Sequence, residues 1–364
     1  MMVSSISNIS NSISNVAAVA VQLISYASLV LGSVKYSPEQ EAKALLESGW
    51  WSREYLNSTT TTPCKLPGIT CNPVGSITHI SLQGYPPPYE SELGRFLNGS
   101  SFPNLVHLDL AEAGLNGSIP QEIGTLLKLT HLNLSHNSLS GSIPLGLGNL
   151  NTLVTLNLGF NKLYGPIPSS LGLLTNLTHL DISTNQIYGR LPFSIASLTH
   201  LIEFDVSYNA INGSIPIHIG NLKSLETLGL DENQLTGAIP SAICDLTSLQ
   251  HLSLSRNQLS GSLPSRIGNL KNLTRLELNS NQLRGPITPS LGGLRSIQDI
   301  DLSYNHFNES IPIEICYLSR LTSLDLSSNS IVGQILFQLA HLSNLITLNL
   351  AGHLMNPLLL GIDG

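Results

Sequence analysis

The sequence predicts an α/β solenoid in which eleven similar repeats stack so that their β-strands form a parallel sheet. Three features carry this prediction: a constant 24-residue period, an apolar L-x-x-L-x-L pattern in each unit, and a G-x-I-P turn in most units. One asparagine marks each period, at Asn137, Asn161, Asn185, Asn209, Asn233, Asn257, Asn281, Asn305 and Asn329. The register extends to Ala113 and His353, and a degenerate strand from Ile77 to Leu82 precedes it.

A single repeat shows why the pattern favours a strand. Leu129, Leu132 and Leu134 are spaced to point into the core, where they stack on their counterparts in neighbouring repeats. The residues expected to face outward are Thr130, His131, Asn133 and Ser135. After the strand the chain must turn, and the Asn137 side chain is suited to bond turn backbone groups that would otherwise be buried without partners. We therefore expect a ladder of asparagine amides along the solenoid.

The second half of each repeat predicts a turn and short 3₁₀ pieces. Gly141 permits a tight turn, and Pro144 prevents a long helix. The G-x-I-P signature in a 24-residue unit, continuous from Leu105 to Leu350, resembles the plant-specific leucine-rich repeats of receptor-like kinases, receptor-like proteins and polygalacturonase-inhibiting proteins. This resemblance implies a right-handed superhelix with the parallel sheet on its concave face.

Four positions depart from the repeat pattern of that family. Thr288 and Leu336 replace Pro, Glu309 replaces Gly, and His353 replaces the ladder asparagine. These departures predict local irregularity towards the end of the chain.

Composition and patterning divide the chain into five parts. We expect a signal peptide over 1–33, a capping region over 34–82, an irregular linker over 83–104, eleven repeats over 105–353 and an uncapped tail over 354–364. The leader is an apolar stretch from Val16 to Gly32 that lacks a basic segment before it, since the first Lys or Arg is Lys35. An uncleaved membrane anchor or a buried helix are the alternatives for this stretch.

The capping region begins with a helix start signal. Ser37 stands at the cap position, Pro38 at the first helical position, and Gln40 completes a capping box. The segment from Cys64 to Cys71 resembles the paired-cysteine cap of the plant family, which implies a disulfide and an oxidising compartment. The alternative is a pair of reduced thiols.

The other two cysteines are not expected to pair. Cys244 and Cys316 occupy equivalent positions three repeats apart, roughly 14 Å at about 4.8 Å per strand, which exceeds disulfide reach. We expect buried core thiols, and no zinc-ligand spacing accompanies either one.

Charge and motifs exclude several functions. Charged residues make up 11% of the chain, the formal charge is -7, and no basic run is present, which argues against nucleic-acid binding. Kinase motifs, a nucleophile elbow and metal-ligand spacing are all missing from the sequence. We therefore expect no enzyme activity, no cofactor and no metal.

Candidate binding residues come from the outward positions of the strands and the turns after them. The first cluster combines aromatic area with acidic groups: Phe160, His179, Asp181, Thr184, Glu203, Asp205 and Tyr208. The alternative is that each ring covers its own turn. The second cluster is Asp231, Glu232, Arg256, Arg275 and Glu277, for which internal salt bridging is the favoured interpretation. No strand carries the Arg-x-Arg pair with which some family receptors hold a peptide carboxylate.

Histidines and sequons mark further outward positions. His107, His131, His179 and His251 share one column, with His136 beside it; pH-dependent binding and chance surface histidines are the two interpretations. N-x-S/T sequons begin at Asn57, Asn98, Asn116, Asn133, Asn176, Asn212, Asn272 and Asn308. Asn133 lies in mid-strand, where a glycan would obstruct the first three repeats.

Together these features predict a secreted or cell-surface recognition module. The resemblance implies a receptor-kinase-like ectodomain that binds a peptide or protein on its concave face, with a co-receptor kinase as a possible partner. No later stretch of the sequence is long and apolar enough to span a membrane, so membrane attachment would need a helix beyond Gly364. A soluble polygalacturonase-inhibitor-like protein is the alternative, and a non-functional receptor fragment is the third.

Overall fold

The computed structural model describes residues 38–51, 63–86, 93, 97 and 101–352. The predicted leader, Ser37, the sequons at Asn57 and Asn98, His353 and the tail over 354–364 lie outside the described residues. The unit formed by Gln40–Gly364 holds everything described below except Pro38 and Glu39, which belong to the preceding unit.

Two sheets run through the repeats of the described chain. The main sheet has thirteen strands: β1 Ile69–Cys71, β2 Ile77–Ser81, β3 His107–Asp109, β4 His131–Asn133, β5 Thr155–Asn157, β7 His179–Asp181, β9 Glu203–Asp205, β11 Thr227–Gly229, β13 His251–Ser253, β15 Arg275–Glu277, β17 Asp299–Asp301, β19 Ser323–Asp325 and β20 Thr347–Asn349. The second sheet has seven: β6 Tyr164–Gly165, β8 Gln186–Arg190, β10 Ala210–Gly213, β12 Gln234–Ala238, β14 Gln258–Gly261, β16 Gln282–Pro286 and β18 His306–Asn308.

The strand register confirms the solenoid. Only β1 and β2 pair antiparallel among the named strands; from β2 onwards neighbours in the main sheet are parallel. Leu108, Leu132 and Leu156 pair across β3, β4 and β5, so each repeat advances the sheet by one strand. All three side chains are fully buried and belong to one continuous apolar core.

Short 3₁₀ helices lie on the other side of each repeat, as the Gly and Pro pattern predicts. In the repeats they span Gln121–Thr125, Leu145–Asn149, Ser169–Leu173, Phe193–Ser197, Ile217–Asn221, Ser241–Asp245, Ile267–Asn269, Pro289–Gly293, Ile313–Tyr317 and Phe337–His341, and one more, Pro63–Lys65, lies in the cap before β1. Most begin after a proline in extended backbone, such as Pro144 with ψ 139°. Since proline has no N–H and a fixed φ, it suits a position just before the first helical turn.

Within the described residues the predicted irregularity appears at Glu309, whereas Leu336, with φ -69° and ψ 116°, keeps the extended backbone that precedes the 3₁₀ helices of other repeats. Thr288 causes none, because its side chain accepts a hydrogen bond from Ser290 N and Pro289 follows it. Glu309 adopts φ 62° where other repeats have glycine, and the second sheet ends one residue before it, at β18. A non-glycine residue in the left-handed region costs roughly 1–2 kcal/mol, so this turn is strained.

The asparagine ladder is present and binds each repeat to the one before it. Asn209 Oδ1 accepts a hydrogen bond from Ile187 N at 2.9 Å, and Nδ2 donates to the carbonyl of Ile182 at 3.0 Å. Nδ2 also contacts the carbonyls of Val206 and Ser207 in its own turn. The same arrangement recurs from Asn137 to Asn329. The ladder therefore satisfies buried backbone groups and also fixes the spacing between repeats.

One outward prediction is wrong. Ser135 is only 5% exposed, because the chain bends into the left-handed turn at His136 immediately after it. Its N and Oγ donate to Asn133 Oδ1 at 3.1 and 2.8 Å. The serine thus closes a small turn inside the fold and is not available on the surface.

The N-terminal cap rests on a buried carboxylate. Helix α1, Pro38–Glu47, starts where the sequence predicts and places Glu41, 1% exposed, beneath β2. Glu41 accepts hydrogen bonds from Ser76 Oγ at 2.7 Å and from Ile77 N at 3.0 Å. Burial raises the pKa of Glu41, and these two bonds oppose the rise. The side chain thereby caps the first parallel strand of the sheet.

Two of the four cysteines form a disulfide, and the other two are free thiols. Cys64 and Cys71 form a disulfide that joins the short helix before β1 to the end of β1. Cys244 is buried as expected, whereas Cys316 is only partly buried and packs at the edge of the core.

Candidate functional site

We call the surface formed by the outward side chains of the main sheet the sheet face. From β3 to β19, each strand of the main sheet contributes its first and third residues to it, and the middle residue points into the core. The parallel register places His179 beside Glu203 and Asp181 beside Asp205. The sequence clusters are therefore real neighbours on this surface.

A pocket of about 230 Å³ opens on the sheet face across β5, β7 and β9. It is lined by Thr155, Leu156, Asn157, His179, Asp181 and Glu203. Three of these six residues belong to the first predicted cluster. Thr155 and Asn157, which the sequence did not single out, form the wall on β5.

The carboxylates around this pocket crowd one another. Burial raises the pKa of Glu203, and the charges of Asp181 and Asp205 raise it further, whereas His179 lowers it. Burial also raises the pKa of Asp205, to which Asp181 and Asp231 add. A positive group placed among these side chains would relieve the repulsion between them, which gives the site a preference for cations.

Asp181 and Asp205 also have a structural role that sequence reasoning missed. Asp181 Oδ1 accepts from Ser183 N at 2.9 Å, and Asp205 Oδ1 accepts from Ser207 N at 2.8 Å. The same Asx turn recurs in other repeats, at Asp109, Asn133, Asn157, Asp301, Asp325 and Asn349. The turn uses one acceptor site on the Oδ1 of Asp181 and of Asp205, so each carboxylate can still accept hydrogen bonds from a ligand. The sequence signal of this Asx turn is the preference for Asp or Asn at the third position of each strand.

The aromatic part of the cluster lies on the left-handed turn before the ladder. Phe160, Thr184 and Tyr208 have φ of 54°, 51° and 54°. The Phe160 ring stacks on His136 with centroids 4.2 Å apart, which supports the interpretation that this ring covers its neighbour. Tyr208 is 54% exposed, so its ring is accessible. Tyr304 occupies the equivalent position before Asn305 and is also exposed, although the sequence prediction omitted it.

The second predicted cluster pairs internally, as expected. Arg256 Nη1 lies 2.7 Å from Glu232 Oε1. Arg275 Nε lies 4.0 Å from Glu277 and 3.7 Å from Asp299, which the sequence prediction did not include. Asp231 takes part in none of these pairs among the described residues, and burial raises its pKa. These exposed pairs contribute little stability, typically below about 1 kcal/mol each.

The histidine column extends further than the sequence indicated. His79 on β2 pairs with His107, and the rings of His79, His107 and His131 follow one another at centroid distances of 5.6 and 5.4 Å. Burial lowers the pKa of His107, and the charge of His131 lowers it further. His79 was missed because it lies 28 residues before His107, off the 24-residue period.

A threonine fixes the orientation of several of these rings. Thr130 Oγ1 donates to the carbonyl of Val106 at 3.0 Å, so its 2.8 Å contact with His131 Nδ1 requires that nitrogen to be the donor. Thr178 and His179 repeat the arrangement. The neutral imidazoles therefore keep their proton on Nδ1 and leave Nε2 as the acceptor. No group of three or more metal-ligating side chains forms a metal site within the described chain.

The sequons fall on three surfaces. Asn116, Asn212 and Asn308 lie on the side of the second sheet, while Asn176 and Asn272 donate Nδ2 to the carbonyls of Asn151 and Thr247 beside the 3₁₀ helices. Asn133 lies on the sheet face and is half-buried. A glycan at Asn133 would therefore stand next to β5 and the pocket wall.

Sequence profiles of one family match most of the repeats. A profile described as a leucine-rich repeat region matches residues 206–311, and a leucine rich repeat profile matches residues 175–235. A single-repeat profile matches residues 128–150, 152–174 and 320–342. The chain belongs to the leucine-rich-repeat family. Its G-x-I-P turns resemble those of the plant extracellular repeats. No curated protein sequence matches this leucine-rich-repeat chain.

Solved structures similar to this leucine-rich-repeat chain include plant receptor ectodomains. A TDR receptor is 37% identical, with a TM-score of 0.68 over 70% of this chain and 44% of that one. The ectodomain of the receptor kinase GASSHO1/SCHENGEN3 from Arabidopsis thaliana, in complex with CASPARIAN STRIP INTEGRITY FACTOR 2, is 30% identical, with a TM-score of 0.70 over 88% and 44%. The Arabidopsis receptor kinase HAESA, in complex with the peptide hormone IDA and the co-receptor SERK1, is 27% identical, with a TM-score of 0.58 over 87% and 66%.

The chain spans less than half the length of the first two of these proteins. Among the described residues, no helix is long and apolar enough to cross a membrane.

Proposed function

We propose that this chain is an extracellular recognition module that binds a peptide or protein segment on its sheet face, centred on the pocket across β5, β7 and β9. The observation that carries the proposal is the coincidence of this pocket with the crowded carboxylates of Asp181 and Glu203 and the accessible ring of Tyr208. The peptide complex of HAESA supports it by analogy.

The charge of the pocket defines the preferred ligand. Acidic groups line two adjacent strands there, and the nearest arginine on the sheet face, Arg275, is already paired with Glu277 and Asp299. A ligand segment with Lys or Arg would be attracted and oriented by this surface, because complementary charge sets association rate and register. We expect an extended segment that places a basic side chain beside Glu203 and an apolar one near Tyr208.

Extracellular placement is part of the same proposal. The Cys64–Cys71 disulfide is typical of an oxidising compartment, and the sequons on the described surface are suited to a glycoprotein. A co-receptor is a further proposed partner, since the HAESA structure contains SERK1.

Selection from a random peptide library tests the ligand site and yields ligand sequences in the same experiment. Peptides enriched on the wild-type chain at pH 7 should contain Lys or Arg, and their Kd should rise about tenfold, or about 1.4 kcal/mol, on Glu203→Gln. Glu122→Gln, on the exposed 3₁₀ helix Gln121–Thr125, is the matched control and should leave Kd unchanged. Peptides that bind both variants like the wild type would refute this site.

The contribution of the Tyr208 ring to binding is tested by a second pair of substitutions. Tyr208→Ala removes an exposed ring beside the ladder, and Tyr317→Ala removes a still more exposed ring from the 3₁₀ helix Ile313–Tyr317. We expect weaker peptide binding from the first variant alone, since aromatic anchors in contact with a partner carry a large share of binding energy. Equal affinities for the two variants would show that Tyr208 only covers its turn.

A further inference from the structure

One side of the solenoid exposes apolar and aromatic side chains in three consecutive repeats. Tyr164 on β6 and Tyr188 on β8 occupy equivalent positions on the second sheet and are 51% and 52% exposed. Phe193 and Ile217, the first residues of adjacent 3₁₀ helices, are 72% and 67% exposed. We call these four residues, together with Arg190 between Tyr188 and Phe193, the lateral patch.

The repeat fold does not require apolar residues at these positions. Later in the same two rows the equivalent residues are polar: Thr236 and Ser260 on the second sheet, Ser241 and Ser265 at the 3₁₀ positions. Between residues 218 and 303, all of which the structure describes, no large apolar side chain is exposed. Contiguous exposed apolar surface is uncommon on soluble proteins and marks interaction sites. The concentration in these three repeats therefore indicates a binding surface and not a property of the repeat itself.

Contacts within the chain leave most of the lateral patch accessible. The Phe193 ring meets the His218 ring edge-on, with centroids 5.8 Å apart. The stem of Arg190 lies over the next repeat, because a Cβ added to Gly213 would be 3.0 Å from Arg190 Cγ. Packing of the apolar stem keeps the guanidinium at the surface beside Tyr188.

The charge on this side of the chain is positive. Lys162, just before β6, and Arg190 are exposed, and neither forms an ion pair with any described residue. Residues 123–225 include three acidic side chains, all of them on the sheet face: Asp181, Glu203 and Asp205. The seven strands of the second sheet contain no Asp or Glu. A partner with complementary charge would therefore be acidic.

The lateral patch has the dimensions and residue types of an interface centre. It covers three repeats, about 10 Å at a strand spacing of about 4.8 Å, and the chain from Tyr188 to Phe193 adds at most about 17 Å. Tyrosine and arginine are among the residues most enriched where binding energy is concentrated. Surrounded by polar residues, such an area can form the centre of an interface of about 800 Å² on each partner.

We propose that the lateral patch is an interaction surface for a second protein whose contacting segment carries Asp or Glu beside apolar side chains. Tyr188 and Phe193 supply the apolar contact, and Arg190 pairs with a carboxylate of the partner. This surface is separate from the sheet face, so the inference does not depend on the ligand proposed for Glu203.

Selection from a random peptide library on the full chain tests the surface. Clones that bind both the wild type and a variant with Tyr188→Ser and Phe193→Ser are discarded, so the remaining peptides depend on the lateral patch. We expect these peptides to be rich in Asp or Glu and to contain Leu, Phe or Trp. Their Kd should rise at least tenfold on Arg190→Gln. It should stay unchanged on Arg284→Gln, which changes an exposed arginine on β16 of the same sheet.

Two further variants serve as controls. Tyr317→Ser removes an exposed ring from another 3₁₀ helix and should leave the Kd of these peptides unchanged. Glu203→Gln should also leave it unchanged. If Glu203→Gln weakens binding as much as Arg190→Gln does, the peptides occupy the sheet face and the proposal is overturned.

Four other results would overturn the proposal. The first two are a lack of clones that depend on the lateral patch, and clones whose peptides contain no acidic residue. The third is binding of polygalacturonate that Arg190→Gln abolishes, because the ligand would then be an acidic polysaccharide. The fourth is a wild-type dimer, seen by light scattering, that Tyr188→Ser dissociates, because a second copy would then be the partner.

The sequon at Asn212 provides one more test, because Asn212 follows Tyr188 in the same row of the second sheet. The selected peptides should bind the chain secreted from a glycosylating host as tightly as they bind its Asn212→Gln variant. Peptides that bind only Asn212→Gln would contradict the proposal, because a glycan would then cover the lateral patch.

Discussion

Replacing one ladder asparagine gives the sharpest stability prediction. Asn209→Ala removes four hydrogen bonds, but the lost contacts are unequal. The carbonyl of Ile182 still accepts from Asn185 Nδ2 at 3.2 Å, and that of Val206 still accepts from Asn233 Nδ2 at 3.0 Å. Ile187 N loses its 2.9 Å side-chain acceptor. The main cost therefore comes from a buried N–H and from the tie between two repeats.

The magnitude follows from these contacts. An unpaired buried N–H costs about 1–3 kcal/mol, and each bond lost from a carbonyl that keeps another donor costs at most about 0.5–1.5 kcal/mol. We expect a total loss of about 3 kcal/mol in the free energy of unfolding. Ser207→Ala should cost about 1 kcal/mol, because the hydroxyl of Ser207 hydrogen-bonds Asp205, which keeps its backbone donor.

A urea titration monitored by circular dichroism measures this difference. Asn221→Ala is the matched control, since Asn221 is an exposed asparagine at the end of a 3₁₀ helix in the same repeat. The expected order of destabilisation is Asn209, then Ser207, then Asn221. If Asn209→Ala stays within about 0.5 kcal/mol of the control, the usual range for surface substitutions, the ladder does not stabilise the stack.

Three further predictions follow from single sites. Gly268→Ala should abolish cooperative unfolding of its repeats, because the added Cβ would lie 2.0 Å from the backbone oxygen of Ser290. The control is Gly285→Ala, whose Cβ meets nothing closer than 3.7 Å and which should cost only the roughly 1–2 kcal/mol of its positive φ. Equal melting temperatures for the two variants would contradict this prediction. Cys64→Ser should lower the free energy of unfolding by about 2–3 kcal/mol in the chain-entropy account, as measured against the wild type under oxidising conditions; no change would mean that the bond does not constrain the unfolded chain. The pKa of His107 is lowered in the fold, so the folded chain binds a proton there less readily than the unfolded chain. The stability that depends on His107 should be full above pH 6.5 and fall at lower pH as the unfolded state gains the proton. His107→Asn should flatten this fall of melting temperature with pH, and an unaltered pH profile would exclude His107 as its source.

The sequence predicts periodic features well because each copy repeats the same physical requirement. The leucine columns, the ladder asparagines and the 3₁₀ pieces all follow from one unit. The 24-residue spacing does not predict which atoms in neighbouring repeats hydrogen-bond to each other. The sequence located Asn209, but the bond to Ile187 depends on how the turns stack.

Features outside the period were harder to predict. His79 joins the histidine column only because the cap brings β2 beside β3, and the cap does not keep the 24-residue spacing. The burial of Glu41 could not be predicted, since a glutamate in an amphipathic helix is normally exposed. In the structure it lies beneath β2 and accepts hydrogen bonds from Ser76 Oγ and Ile77 N. Asp181 was predicted as a surface ligand, and its Oδ1 also accepts a hydrogen bond from Ser183 N in the turn after the strand.

The central claim is that the sheet face around Glu203 recognises a ligand. Carboxyl-group footprinting measures it most directly, because it labels exposed Asp and Glu side chains in the presence and absence of a peptide selected on the wild-type chain. We predict that the peptide strongly reduces labelling of Glu203 and leaves Glu122, on the 3₁₀ side, unchanged. Undiminished labelling of Glu203 at saturating peptide, with protection elsewhere, would contradict the assignment.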